Sequence, residues 1–129
     1  MKVIILAGGL GSRLSKYTST LPKPMVKIGN IPIIEHIMNL YVKNGFNDFI
    51  IAAGYKGEII KKYFKKNKKF NVKVIYTGQK TLTGGRILRL KKYINNERFM
   101  LTYGDGIADI NLKKLLKFYL KNNKMITVT

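Results

Sequence analysis

Residues 1–14 read Met1-Lys2-Val3-Ile4-Ile5-Leu6-Ala7-Gly8-Gly9-Leu10-Gly11-Ser12-Arg13-Leu14, and after a polar link the chain continues with Pro22-Lys23-Pro24-Met25. The apolar run Val3 to Leu6 has the length of a buried strand. It empties into three glycines, which let the backbone turn tightly and bring its N–H groups close to an anion. Arg13 adds a permanent charge with a fork of donors. Lys23 adds a point charge between two prolines that stiffen its segment. Strand, glycine loop, arginine and rigidly placed lysine together predict a triphosphate cradle.

Outward from that stretch, the chain alternates. Val26 to Ile28 reads as a short extended piece closed by a Gly29-Asn30 turn. Pro32 suits the first turn of a helix whose apolar positions are Ile33, Ile34, Ile37, Met38, Leu40 and Tyr41, ended by Asn44-Gly45. Phe49 to Ala53 is a second buried strand, and Glu58 to Phe64 a second helix. Val72 to Tyr76 is a third strand. A Gly- and Thr-rich loop from Thr77 leads to a helix starting near Gly85, with Ile87, Leu88, Leu90, Lys91 and Tyr93 along it. Phe99 to Tyr103 is a fourth strand, stopped by Gly104-Asp105-Gly106. Asp109 and Asn111 can cap a helix over 112–120, and Met125 to Thr129 begins one more strand.

The order βαβαβαβαβ predicts an α/β fold, a sandwich with a mostly parallel sheet. Ligands in such sheets bind at the carboxyl ends of strands, where the glycine loops at 8–11, 54–57, 84–85 and 104–106 fall. The sequence has no internal repeat, linker or low-complexity segment.

The 129 residues suffice for one domain with a real core, and 46% hydrophobic residues make it globular. No apolar run approaches the roughly 20 residues of a membrane span, and the N-terminus lacks a signal-peptide pattern. Without cysteine there is no disulfide framework or thiolate metal site. A cytoplasmic location with no membrane partner is the expectation. The formal charge is +19. It is nearly all lysine, spread over helix faces and loops, with arginine only at 13, 86, 89 and 98. No aromatic-interleaved basic motif accompanies it, so no nucleic-acid partner is expected, although polyanionic substrates are favoured.

The glycine loop lacks the third glycine and the later acid of a dinucleotide fingerprint, and no Walker A run exists. There are six carboxylates. Glu35 and Glu58 are expected to be solvated, and Asp48 and Glu97 to serve turns or caps. Asp105 stands apart, between two glycines at the end of a strand, where it can reach a hard cation such as Mg²⁺. A plain Gly-Asp-Gly turn is the alternative. Asp109 could also ligate, but capping suits it better. His36, the single histidine, is expected to be structural. With no Ser-His-Asp set and no cysteine, phosphoryl or nucleotidyl transfer remains, a chemistry of positioning and charge neutralisation.

Leu6-Ala7-Gly8-Gly9-Leu10-Gly11-Ser12-Arg13-Leu14 with Pro22-Lys23-Pro24 resembles the signature of sugar-phosphate nucleotidyltransferases. Thr83-Gly84-Gly85-Arg86, Thr102-Tyr103-Gly104-Asp105-Gly106 and Gly54-Tyr55-Lys56-Gly57 look like the glucose-1-phosphate cytidylyltransferase branch. The resemblance covers nearly the whole chain. It implies a Rossmann-like three-layer α/β/α sandwich that converts CTP and α-D-glucose 1-phosphate to CDP-glucose and pyrophosphate. It further implies that Leu6, Ala7, Gly8, Gly9 and Leu10 hold the nucleotide and that Gly11, Ser12 and Arg13 hold its phosphates. Lys23 would contact phosphate near the reacting centre, Thr81 and Arg86 the substrate, Gly104 the nucleotide, and Asp105 a Mg²⁺ cofactor. Arg13 and Lys23 would be the catalytic pair. In that branch CDP-glucose feeds the deoxysugars of cell-surface polysaccharide such as O-antigen.

Three departures from the family pattern stand out. Position 12 is Ser in place of Thr, which keeps the hydroxyl. The link from the third strand to Thr81 is short. Thr129 lies inside a predicted strand, whereas family members continue for roughly as long again. Residues 1–129 therefore read as the N-terminal, nucleotide-binding part of a longer enzyme, and a homo-oligomer is expected of the parent.

Overall fold

The computed structural model describes residues 1–10 and 20–129. Four strands, β1 (Lys2–Ala7), β4 (Asp48–Ala53), β5 (Asn71–Tyr76) and β6 (Phe99–Tyr103), form a parallel sheet in the order β5-β4-β1-β6. A two-residue ladder, β2 (Lys27–Ile28) with β3 (Ile31–Pro32), closes the turn at Gly29. The helices are α1 (Ile33–Lys43), α2 (Gly57–Lys66), α3 (Thr83–Arg89), α4 (Lys91–Ile94) and α5 (Leu112–Asn122).

Strand β1 sits inside the sheet because both its faces are apolar. Val3, Ile4 and Ile5 have no solvent exposure. Val3 pairs with Phe49 of β4 and Met100 of β6, and Leu6 with Ala52 and Tyr103. Val3, Ile5 and Ala7 face one layer, where Ile34, Ile37, Met38 and Tyr41 of α1, Ile60 and Phe64 of α2, and Leu112 of α5 pack. Ile4 and Leu6 face the opposite layer, with Leu90 and with Ile94 of α4. The alternation along one strand thus builds both halves of an α/β/α sandwich. It also sets where a site can form. The chain runs outward from β1 to β4 and β5, then crosses back to lay β6 on the other side of β1. The crevice beyond the ends of β1 and β6 is the topological switch point.

Several expectations need correction. The helix expected to start near Gly85 is two pieces that meet at the buried Leu90. Pro32 is the N-cap of α1 and pairs in β3 rather than opening the helix. Residues 125–129 form no strand. Met125, Ile126 and Val128 are exposed, and an isolated apolar segment has no ladder partner to fix it. Asn111, not Asp109, caps α5, accepting from the Lys114 N–H at 2.9 Å.

Glu35 is the largest departure. It is buried rather than solvated, and accepts from the hydroxyl of Tyr63 and, at 3.2 Å, from the Asn67 side chain. Lys69 approaches it at 3.5 Å. His36 bonds the Ile28 carbonyl oxygen at 2.9 Å, a structural contact as expected. Glu97 pairs with Lys2 at 2.7 Å, and that bond holds its carboxyl below the usual range. Among the described residues no helix is long and apolar enough to cross a membrane.

Candidate functional site

A cleft of about 380 Å³ opens at the switch point, within the range of roughly 300–1,000 Å³ typical of small-ligand sites. The end of β1 and its loop contribute Leu6, Ala7, Gly8 and Gly9. Lys23 and Pro24 come from a single 3-10 turn, Lys23–Met25. Thr81, Leu82, Thr83 and Arg86 come from the loop after β5 and from α3, and Tyr103 and Asp105 from the end of β6. The structure therefore gathers Leu6, Ala7, Gly8, Gly9, Lys23, Thr81, Arg86 and Asp105 into one cleft, whereas Leu10, which is exposed, and Gly104 are not among its lining residues. Gly11, Ser12 and Arg13 lie outside the described residues.

Lys23 is held by its backbone. Pro24 and Met25 are buried, the Met25 N–H donates to the Pro22 carbonyl at 2.8 Å, and the Val26 N–H donates to the Lys23 carbonyl at 3.1 Å. The prolines thus admit one tight turn rather than a helix, and that turn aims Lys23 at the cleft. Its ammonium lies 2.6 Å from Asp105 Oδ2. Gly104 places the carboxylate: its N–H donates to the Leu6 carbonyl at 2.9 Å, extending the β1–β6 ladder by one bond before the chain turns. A Cβ at 104 would press on Pro24 at 3.1 Å and on the Leu6 carbonyl at 3.2 Å. Glycine there lets β6, β1 and the Lys23 turn meet.

Arg86 is buried, and its guanidinium is absorbed by main-chain oxygens. Nη2 donates to the Gly8 carbonyl at 2.8 Å and to that of Gln79 at 3.3 Å. Nη1 donates to the Gly78 carbonyl at 2.7 Å, to Thr77 Oγ1 at 2.8 Å and to the Ala53 carbonyl at 3.4 Å. One side chain therefore ties together the carboxyl ends of β1, β4 and β5. These strands run parallel, so their last carbonyls converge and need a donor, while a buried cation needs acceptors. Burial, with the neighbouring charge of Arg89, lowers the Arg86 pKa, and the carbonyl cage compensates for the lost solvent.

The cage explains two glycines. A Cβ on Gly8 would overlap the Arg86 guanidinium. One on Gly54 would lie 2.6 Å from the Gly8 carbonyl and 2.7 Å from Arg86 Nη1. Gly9 differs, since among the described residues nothing lies within 4 Å of a Cβ built there.

Comparisons with known proteins place the chain in a family. Residues 2–129 match the Nucleotidyl transferase family. The chain belongs to that family. It is 42% identical to the glucose-1-phosphate cytidylyltransferase of Salmonella typhimurium over 153 aligned positions, covering all of this chain and 60% of that protein. It is 41% identical to the D-glycero-alpha-D-manno-heptose 1-phosphate guanylyltransferase of Campylobacter jejuni, over 89% of this chain and 52% of the relative. Among solved structures, HddC from Yersinia pseudotuberculosis complexed with GMP-PN superposes with a TM-score of 0.78 at 33% identity, over 92% of this chain and 54% of that one. The chain thus spans between half and two thirds of the length of these relatives.

Around this cleft, several residues carry no signal in the sequence. Thr77 is buried and donates its hydroxyl to the Ala53 carbonyl at 2.9 Å while accepting from Arg86. Arg89 reaches the same loop from the next turn of α3, at 2.6 Å from the Thr77 carbonyl. Leu82 and Tyr103 line the cleft with apolar surface, and both are exposed. A Thr or Arg in a Gly-rich loop looks like any solvated residue until the strand ends it bridges are known.

Proposed function

We propose that this chain is the nucleotide-binding part of a sugar-1-phosphate nucleotidyltransferase, transferring cytidylyl from CTP to α-D-glucose 1-phosphate to give CDP-glucose and pyrophosphate. The observation that carries this reading is the convergence of the Gly8–Gly9 loop, Lys23 and Asp105 at the switch point, in a chain 42% identical to a glucose-1-phosphate cytidylyltransferase.

In this reading a phosphate oxygen of the sugar phosphate attacks the α-phosphorus. The bond from that phosphorus to the bridging oxygen breaks, and pyrophosphate leaves with the electron pair. No protein nucleophile is needed, and positioning with charge neutralisation supplies the rate. The open side of Gly9 lets the nucleotide approach the backbone, and Lys23 neutralises charge at the α-phosphate. Arg13 would stabilise the leaving pyrophosphate.

Asp105 is the residue that would hold Mg²⁺. Among the described residues no three His, Cys, Asp or Glu side chains cluster into a metal cage. One carboxylate with substrate phosphates and water is nevertheless the usual donor set for Mg²⁺ at nucleotide sites, so Asp105 fits. The ion would supply charge neutralisation on the phosphates.

The test is calorimetric titration of the chain with CTP, UTP, dTTP and GTP in Mg²⁺, followed by assay of pyrophosphate release with glucose 1-phosphate. Binding selective for CTP supports the reading. Tighter binding of GTP, the direction of the heptose guanylyltransferase relative, overturns the base and keeps the class. Absence of nucleotide binding overturns both.

A further inference from the structure

Arg89 donates to the Thr77 carbonyl at 2.6 Å and to Thr81 Oγ1 at 2.7 Å. Thr81 lines the cleft and Arg89 does not. Their contact has a consequence for hydrogen-bond direction. A guanidinium can only donate, whereas a hydroxyl has one hydrogen and two lone pairs. The Thr81 oxygen therefore spends a lone pair on Arg89, and its hydrogen must find an acceptor elsewhere. Among the described residues no protein acceptor takes it. The hydroxyl is left as a donor at the wall of the cleft.

The loop is shaped to permit this. Gly78 has φ +93°, in the left-handed region, and a Cβ on it would overlap both the Arg89 guanidinium and the Thr81 hydroxyl. The Thr77 carbonyl gives Arg89 a second, fixed anchor, and Thr77 is itself buried. Thr77, Arg89 and Thr81 form a chain that runs from the sheet end to the cleft wall.

We propose that Arg89 is a positioning residue that orients Thr81 as a hydrogen-bond donor toward an acceptor atom of the bound nucleotide, without touching the ligand itself. The inference rests on the nucleotide-binding reading above. The acceptor is a base carbonyl or ring nitrogen, or a phosphate oxygen. Each presents a lone pair, and a site that offers a donor disfavours a ligand donor at that position.

The experiment is a double-mutant cycle on the full chain with Thr81→Val, Arg89→Met and the pair, with Arg89→Gln as a second variant at the arginine. Two readouts are taken: the Kd for CTP, and amide hydrogen exchange over residues 78–83 without nucleotide. Each single substitution is expected to weaken CTP about fivefold to twentyfold, and the pair no more than Thr81→Val alone. Exchange in the loop should rise in Arg89→Met. Tripolyphosphate, titrated in parallel, locates the acceptor: a loss shared with tripolyphosphate assigns it to phosphate, a loss confined to CTP assigns it to the nucleoside. Losses that multiply across the pair overturn the proposal, because Arg89 would then act on the ligand directly. Unchanged CTP affinity in Arg89→Met and Arg89→Gln also overturns it. If the unsubstituted chain binds no nucleotide, the nucleotide-binding reading falls, and with it the donor role. Loop exchange then separately decides whether Arg89 orders Thr81 at all.

Discussion

The ammonium of Lys23 and the carboxylate of Asp105 meet at 2.6 Å across the mouth of the cleft, each side chain about one third exposed at 29% and 32%. An ion pair this wet is worth on the order of 1 kcal/mol or less, so a phosphate and a cation together can displace it. In the proposed reading the two charges would then part, the lysine to phosphate and the carboxylate to metal. Lys23 and a divalent ion would then compete for Asp105 until nucleotide arrives.

Lys23→Met should therefore raise the affinity of the nucleotide-free protein for Mn²⁺ a few-fold, measured by electron paramagnetic resonance of the free ion. The same variant should lose about tenfold or more in CTP affinity, since a charged donor to phosphate is removed. Unchanged Mn²⁺ binding would mean that the pair does not restrain the carboxylate. Asp105→Asn should abolish the enhancement of CTP binding by Mg²⁺ in the same titrations.

Glu35 should matter for stability and not for the site. It takes donors from Tyr63 and Asn67 between α1 and α2, and no residue of either helix lines the cleft. Glu35→Ala removes the shared acceptor and leaves a void, at a cost of about 1–3 kcal/mol in urea unfolding with an unchanged m-value. Glu35→Gln keeps an acceptor oxygen and should lose less. CTP affinity should hold in both; a tenfold drop would place the cluster in communication with the site.

Alkaline pH should unfold the protein through its tyrosines. Burial raises the pKa of Tyr41, and burial followed by the bond to Glu35 raises that of Tyr63. The folded values exceed the unfolded one of about 10, so the native state keeps its protons where the unfolded chain loses them. Their contribution is complete below about pH 10 and is lost as pH rises through the raised values. Urea titrations from pH 8 to 11 should show a fall above pH 10 that is shallower in a Tyr41→Phe, Tyr63→Phe double variant. An equal slope would remove the tyrosines as its cause.

The fold was largely legible because its signals are local. Val3 to Leu6, Phe49 to Ala53 and Phe99 to Tyr103 are short apolar runs between turn residues, and all three are strands of the sheet. Asp105 stood out for its place between glycines after a strand, and it lines the cleft. What stayed hidden depends on elements distant in sequence. Glu35 looks solvated because its partners sit 28 and 32 residues away on α2 and just beyond it. The cage of Arg86 is assembled from the ends of three strands, 78 residues apart at Gly8. The break at Leu90 carries no glycine or proline to announce it, and 125–129, which pairs with no strand among the described residues, shows that a β-pattern alone makes no strand.

Gly8 and Gly9 stand side by side in one loop, yet they should respond oppositely to the same methyl group. At Gly8 the added Cβ collides with the Arg86 guanidinium, which cannot retreat without giving up carbonyl bonds at the ends of three strands. Gly8→Ala should therefore cost about 1–3 kcal/mol of stability, with reduced CTP binding as a consequence. At Gly9 the Cβ meets nothing within 4 Å among the described residues, so Gly9→Ala should leave urea stability within about 0.5 kcal/mol. Its methyl instead occupies the approach to the backbone, and CTP affinity should fall by about tenfold or more. The pair would separate a glycine needed by the arginine cage from one needed by the proposed ligand. If Gly9→Ala binds CTP as well as the unsubstituted protein, the nucleotide does not lie against that face of the loop.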